Sequence, residues 1–111
     1  MSEQRIELIK EMLNKNPKDS YLRYAIAMEY LNIGAKDVAQ KELETVLKYD
    51  KSHPATYPAL GRLLEEQGKT AKAIKLYKDG LEVATKKTDL KIIGTLTEAL
   101  LIRDVYVEPS L

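Results

Sequence analysis

Apolar residues recur every three or four positions along most of the chain, and this period is interrupted at short polar or glycine-bearing breaks. That spacing is the signature of amphipathic helices. Six are predicted. The first runs from about Glu3 to Asn14, with Ile6, Ile9 and Leu13 on one stripe and Leu8 and Met12 beside it. Ser2 is placed to cap it, and Asn16-Pro17 ends it, since a residue before proline avoids the helical region. The second follows Asp19 or Ser20 and runs to about Ile33; Tyr21, Leu22, Ala25, Ile26, Met28 and Tyr30 make it apolar around much of its girth. A helix of that kind packs on more than one side. The third covers Lys36 to Tyr49, burying Ala39, Leu43, Val46 and Leu47.

The fourth helix is expected from Pro54, well suited to a first helical position, to Gln67, with Tyr57, Leu60, Leu63 and Leu64 inward. With that start, Pro58 forfeits a backbone bond and bends the first turn. The fifth runs from a Thr70 cap to about Ala84 and buries Ala73, Ile74, Tyr77 and Leu81. After a polar break at residues 84–88, the sixth spans Asp89 to Arg103, with Leu90, Ile93, Leu96, Leu100 and Leu101 as its apolar positions. Residues 105–111 carry β-branched side chains and Pro109, and read as extended.

The breaks keep time. Gly34 and Gly68 lie 34 residues apart, and Ile26, Ala27, Ala39 and Leu43 are answered at the same offset by Leu60, Gly61, Ala73 and Tyr77. A period of this size marks stacked helix pairs. The residues resemble the tetratricopeptide repeat (TPR), whose pattern is an aromatic, Leu-Gly, Tyr, Ala-x-x-x-Phe and a closing Pro. Tyr57, Leu60-Gly61, Leu64 and Ala73-x-x-x-Tyr77 stand at those places in the second copy, with Thr85 replacing the proline. The first copy has Arg23 for the tryptophan, then Ile26-Ala27, Tyr30, Ala39, Leu43 and Val46, with Lys51 at the close. Pro17 falls one period before Lys51, so the first helix resembles the second half of a repeat. The last helix enters where a third repeat would begin, but with Lys91, Gly94, Thr95 and Glu98 at the pattern places, as in a capping helix.

The resemblance implies an all-α, short right-handed superhelical stack of antiparallel helix pairs. It divides a single domain into a half-repeat (3–17), two repeats (20–53 and 54–87), a cap (88–104) and a tail (105–111). It also implies a protein–protein interaction module, a small adaptor or scaffold rather than an enzyme. In this family the first helix of each repeat lines the inner, concave surface. By that analogy the partner-binding residues are Tyr21, Tyr24, Met28, Leu31, Pro58, Arg62, Glu65, Ile92 and Leu96. Chaperone-binding members clamp a C-terminal carboxylate with Lys, Asn and Arg; here Tyr24, Met28, Ala59, Asp89 and Ile93 stand at those places, so that mode is not expected.

Composition narrows the remaining chemistry. The chain has 111 residues and a formal net charge of +1, which gives no general pull toward nucleic acid or an anionic membrane. It has no Cys and one His, His53, so thiol chemistry and a histidine-rich metal site are excluded. His53, Asp50 and Ser52 share what reads as one exposed turn, without the cavity a catalytic histidine needs. Lys69, Lys72, Lys75 and Lys78 form a basic stripe, but Asp79 and Glu82 interrupt it, and it reads as a solvated face. No cofactor, nucleic acid or membrane is expected as a partner. No stretch approaches the roughly 20 apolar residues of a membrane span, and the start resembles no signal peptide, so the expected compartment is the cytoplasm. The alternative to a peptide-binding adaptor is a homo-oligomeric assembly or regulatory subunit without a free peptide groove; a separate expectation is a homodimer in which residues 105–111 lie in the inner groove of a second copy.

Overall fold

A computed structural model describes residues 1–103, all in helices and the turns between them. The order is α1 (Ser2–Lys15), α2 (Ser20–Asn32), α3 (Lys36–Tyr49), α4 (Thr56–Glu66), α5 (Thr70–Lys86) and α6 (Leu90–Ile102). No strand occurs among the described residues. The chain divides into two compact units, Met1–Lys51 and a second from Ser52 on. The expected extended segment, 105–111, and the homodimer contact built on it lie outside the described residues.

In the first unit α2 packs against both α1 and α3, as its broad apolar girth requires. Ile6 and Leu13 of α1 meet Ile26 of α2 in one cluster, with Ile9, Leu22 and Tyr30 packed against it. Ala39, Leu43 and Val46 of α3 are fully buried, and Leu47 is half-buried. Asp19 caps α2, its carboxylate accepting a hydrogen bond from the backbone N–H of Leu22 at 3.0 Å. Arg23, standing in the tryptophan's place, holds this unit by polar contacts. It donates to Glu42 at 3.2 Å and to the Pro17 carbonyl at 2.5 Å, and its guanidinium lies 5.9 Å from the centre of the Tyr49 ring.

In the second unit α5 packs against both α4 and α6, and α4 touches α6 along a narrower strip. Leu64, Ala73, Tyr77, Leu96 and Leu100 form its core. Two glycines set the closeness of the helices. A Cβ at Gly61 would lie 2.3 Å from the Tyr77 ring, and one at Gly80 would lie 2.4 Å from the Cβ of Tyr57. Small residues at these places are therefore steric requirements, as the repeat pattern implies.

Gly34 and Gly68 have φ of +78° and +77°, the left-handed geometry of a helix C-terminus. Each is followed by a residue whose N–H reaches back to close the turn, Ala35 to the Tyr30 carbonyl and Lys69 to the Leu64 carbonyl, both at 2.9 Å. Several expected boundaries are corrected. Ser2 and Thr70 are first helical residues rather than caps, and the cap positions fall on Met1 and Lys69. Pro54 sits in the preceding turn, so α4 starts at Thr56 and Pro58 falls in its first turn. There its missing N–H has no intrahelical partner to lose, and the anticipated bend has no cause. α5 runs on to Lys86 because Thr85, in the closing proline's place, does not stop it. The chain turns away just beyond it, where Lys87 is the C-cap and Thr88 takes φ +54°.

Candidate functional site

The residues expected on an inner face separate into distinct environments. On α2, Tyr21 is 72% exposed, while Tyr24, Met28 and Leu31 are half-buried. These four lie on one side of the helix. A groove of about 430 Å³ in the same unit opens on the other side, between Leu13, Pro17, Arg23, Ile26, Tyr30 and Glu42.

In the second unit the expectation changes more. Leu96 is 0% exposed in the core, and Ile92 packs against the same cluster. They are core residues, not groove residues: α6 turns its 92–96–100 stripe onto α5. Pro58 is buried and Arg62 exposed. The two border a cleft of about 280 Å³ whose opposite wall is Thr95, Glu98, Ala99 and Ile102 of α6, with Tyr77 and Arg103 completing it. The α6 contribution is thus displaced about a third of a turn from Ile92 and Leu96.

Glu65 is not a free acid for a partner. Its carboxylate accepts from Arg103 through both oxygens, the Nη2 contact being 2.6 Å, and from the Tyr77 hydroxyl at 2.5 Å. Arg103 also donates to the Ala99 carbonyl at 2.5 Å, and its guanidinium lies 5.3 Å from the Tyr77 ring centre. Three helices converge here: α4 supplies the acid, α5 the phenol, and the residue capping the C-terminus of α6 supplies the guanidinium. The Arg103 hydrogen bonds hold the Glu65 carboxyl below the usual carboxylate range against an opposing effect of burial. Burial, and then the bond to Glu65, push the Tyr77 phenol well above its ordinary value. Bidentate Arg–carboxylate pairs of this kind fix geometry, so the cluster latches α6 and shapes the cleft's end. Arg103 was invisible as a site residue in the sequence. Its one signal is a basic side chain closing a largely apolar helix.

His53 is buried rather than in an exposed turn, with Nδ1 2.8 Å from the hydroxyl of the fully buried Thr56. The pair stitches the turn before α4. Lys75 of the basic stripe pairs with Asp79 at 3.3 Å, and further along α5 Lys86 pairs with Glu82 at 3.4 Å, both on exposed surface. Among the described residues no cluster of His, Cys, Asp and Glu could hold a metal ion, and no helix is long and apolar enough to cross a membrane.

A TPR domain protein from Salinibacter ruber has a crystal structure that superposes with a TM-score of 0.72 at 34% identity, over 75% of this chain and 93% of that one. Its solution structure matches at 0.72 and 30% identity, over 86% of this chain and 97% of that one. The chain belongs to the tetratricopeptide repeat family. Its resemblance to the TPR pattern at Tyr57, Gly61, Ala73 and Tyr77 is thereby matched in the fold, and the all-α class of helix pairs holds. The crystal structure of MamA, at 23% identity and a TM-score of 0.69, shares the fold over 76% of this chain and 49% of that one. In sequence, the BBSome complex member BBS4 of Bos taurus is 31% identical over 85 residues, and that of Mus musculus 31% over 84. The chain spans 16% of the length of these two relatives. No family model matches the chain. The TPR fold is a protein-interaction module, and its repeats present surfaces rather than reaction centres.

Proposed function

We propose that this TPR module takes a segment of a partner protein in the cleft between α4 and α6. The cleft is the supporting observation: it joins apolar walls, Pro58, Ala99 and Ile102, to opposite charges at its rim, Arg62 and Glu98. At about 280 Å³ it suits one or two side chains. A partner segment places an apolar side chain between Pro58 and Ile102 and an acid against Arg62. The module works without catalysis, cofactor or nucleic acid, in a cytoplasmic adaptor role. The BBS4 relatives are members of a complex by name, which fits a part in a multi-protein assembly.

Affinity capture with the full chain tests the reading. Arg62→Glu reverses the rim charge at an exposed site and is expected to cut recovery of bound protein about tenfold, with helicity unchanged. Equal recovery by wild type and variant would place binding elsewhere.

A further inference from the structure

Helices α1 and α6 carry complementary halves of one repeat. α1, α3 and α5 begin at Ser2, Lys36 and Thr70, steps of 34; α4 and α6 begin at Thr56 and Leu90, also 34 apart. α1 is thus a second helix, and α6 a first helix, in the same register. In the complete pair α4–α5 the facing positions are closed. Thr56, Tyr57, Leu60, Gly61 and Leu64 of α4 are all buried, as are Ala73, Tyr77 and Gly80 of α5. The equivalent positions on α1 and α6 are exposed, apart from Ile9 and Thr95, which are half-buried. On α6 they are Leu90, Lys91, Gly94, Thr95 and Glu98, with Leu101 extending the same face. Leu90 is 75% and Leu101 53% exposed, and a Cβ at Gly94 would meet nothing within 4 Å. On α1 they are Arg5, Ile9 and Met12, with Leu8 alongside; Leu8 is 58% and Met12 43% exposed.

We propose that the open face of α1 in one copy docks on the open face of α6 in another, completing a repeat across the interface and joining copies head to tail. The register fixes the pairs. Leu64 and Ala73 share a core in the α4–α5 pair, and their equivalents are Glu98 and Arg5, which carry opposite charges. Gly61 receives the Tyr77 ring; the equivalents are Thr95, a small residue, and Ile9. Gly80 meets Tyr57, and their equivalents are Met12 and Lys91, whose aliphatic stem can lie along a thioether side chain. Arg5 is available: its guanidinium is largely exposed and its ion pair with Glu29 is long, at 3.6 Å. The charge pair explains why the alanine of the repeat pattern is absent from α1 and the tyrosine from α6: at an interface these places select a partner rather than fill a core. Because the two faces differ, the contact is heterologous and each copy keeps one face open for the next. The proposed interface shares Thr95 and Glu98 with the α6 wall of the cleft, but Arg62 takes no part in it, and self-association is read without any other protein present.

Sedimentation equilibrium of the full chain, from about 10 μM to about 1 mM, reads the association in the affinity range of a small interface. The average mass is expected to rise with concentration. Arg5→Glu and Glu98→Arg should each weaken association at least about tenfold, and the two together restore it to within about threefold. Arg5 and Glu98 are both exposed, so these variants keep the wild-type circular dichroism, although Arg5→Glu also loses the ion pair with Glu29 and lowers the unfolding midpoint. A second pair of variants tests the head-to-tail geometry. Leu8→Lys/Met12→Lys blocks α1, and Leu90→Lys/Leu101→Lys blocks α6. Each alone should stay at the mass of one copy, and an equal mixture should give two. A wild-type mass fixed at one copy, charge reversals that do not rescue each other, or a mixture that stays at one copy would overturn the proposal.

Discussion

Gly61 and Gly94 both lie inside helices, where glycine costs entropy relative to alanine, yet their surroundings demand opposite outcomes. Alanine at Gly61 would press on Tyr77, a ring that is almost fully buried and held by Glu65, so it has no room to yield. Gly61→Ala should destabilise by about 1–3 kcal/mol. Alanine at Gly94 meets open space and should stabilise by about 0.5–1 kcal/mol; denaturant titration of both variants checks the sign of each. Glu65 gives a pH signature. Its folded pKa is depressed, so the stability it contributes is present above the ordinary carboxylate range and lost as pH falls through its lowered value. Glu65→Gln should be less stable than wild type at neutral pH, with the gap closing as the solution is acidified. Unfolding midpoints across an acid series would show it, and a gap that stays constant would contradict the ion-pair account.

At the scale of the element, the helices were legible because their punctuation is local. Gly34 and Gly68 end α2 and α4 by taking positive φ, Asp19 caps its own helix, and apolar spacing does the rest. The boundaries that moved depended on competition between neighbours. Proline was placed at the start of α4, but the His53–Thr56 contact holds Pro54 in the turn and starts the helix two residues on. At the end of α5 no residue type announces the stop. Thr88 takes a left-handed conformation that glycine would adopt without strain. Thr88→Gly should therefore raise the unfolding midpoint, gaining up to about 1 kcal/mol. The rotation of α6 was unreadable for another reason. Apolar residues surround the helix, so spacing alone could not say that Leu96 and Leu100 would face α5 while Leu90 and Leu101 stayed open.

For the molecule, family and interaction class were written in the periodic residues, because a repeat states its packing twice. The site was written only in part. Pro58 and Arg62 could be placed together on one face of a first helix, and both border the cleft. The far wall of the cleft depended on how the cap docks, and that depends on Glu65 and Arg103, 38 residues apart, which no local pattern connects. The TPR scaffold thus turns a capping helix into one wall of a cleft and holds it with one charged latch. The most direct measurement of the cleft's role is site-specific photocrosslinking in the cells that make the protein. An apolar photoreactive side chain would replace Ile102, exposed in the cleft wall, in one experiment and Lys75 on the outer face of α5 in another. The account predicts a discrete partner adduct from position 102 and little from position 75; equal adducts from both, or a stronger one from position 75, would contradict it.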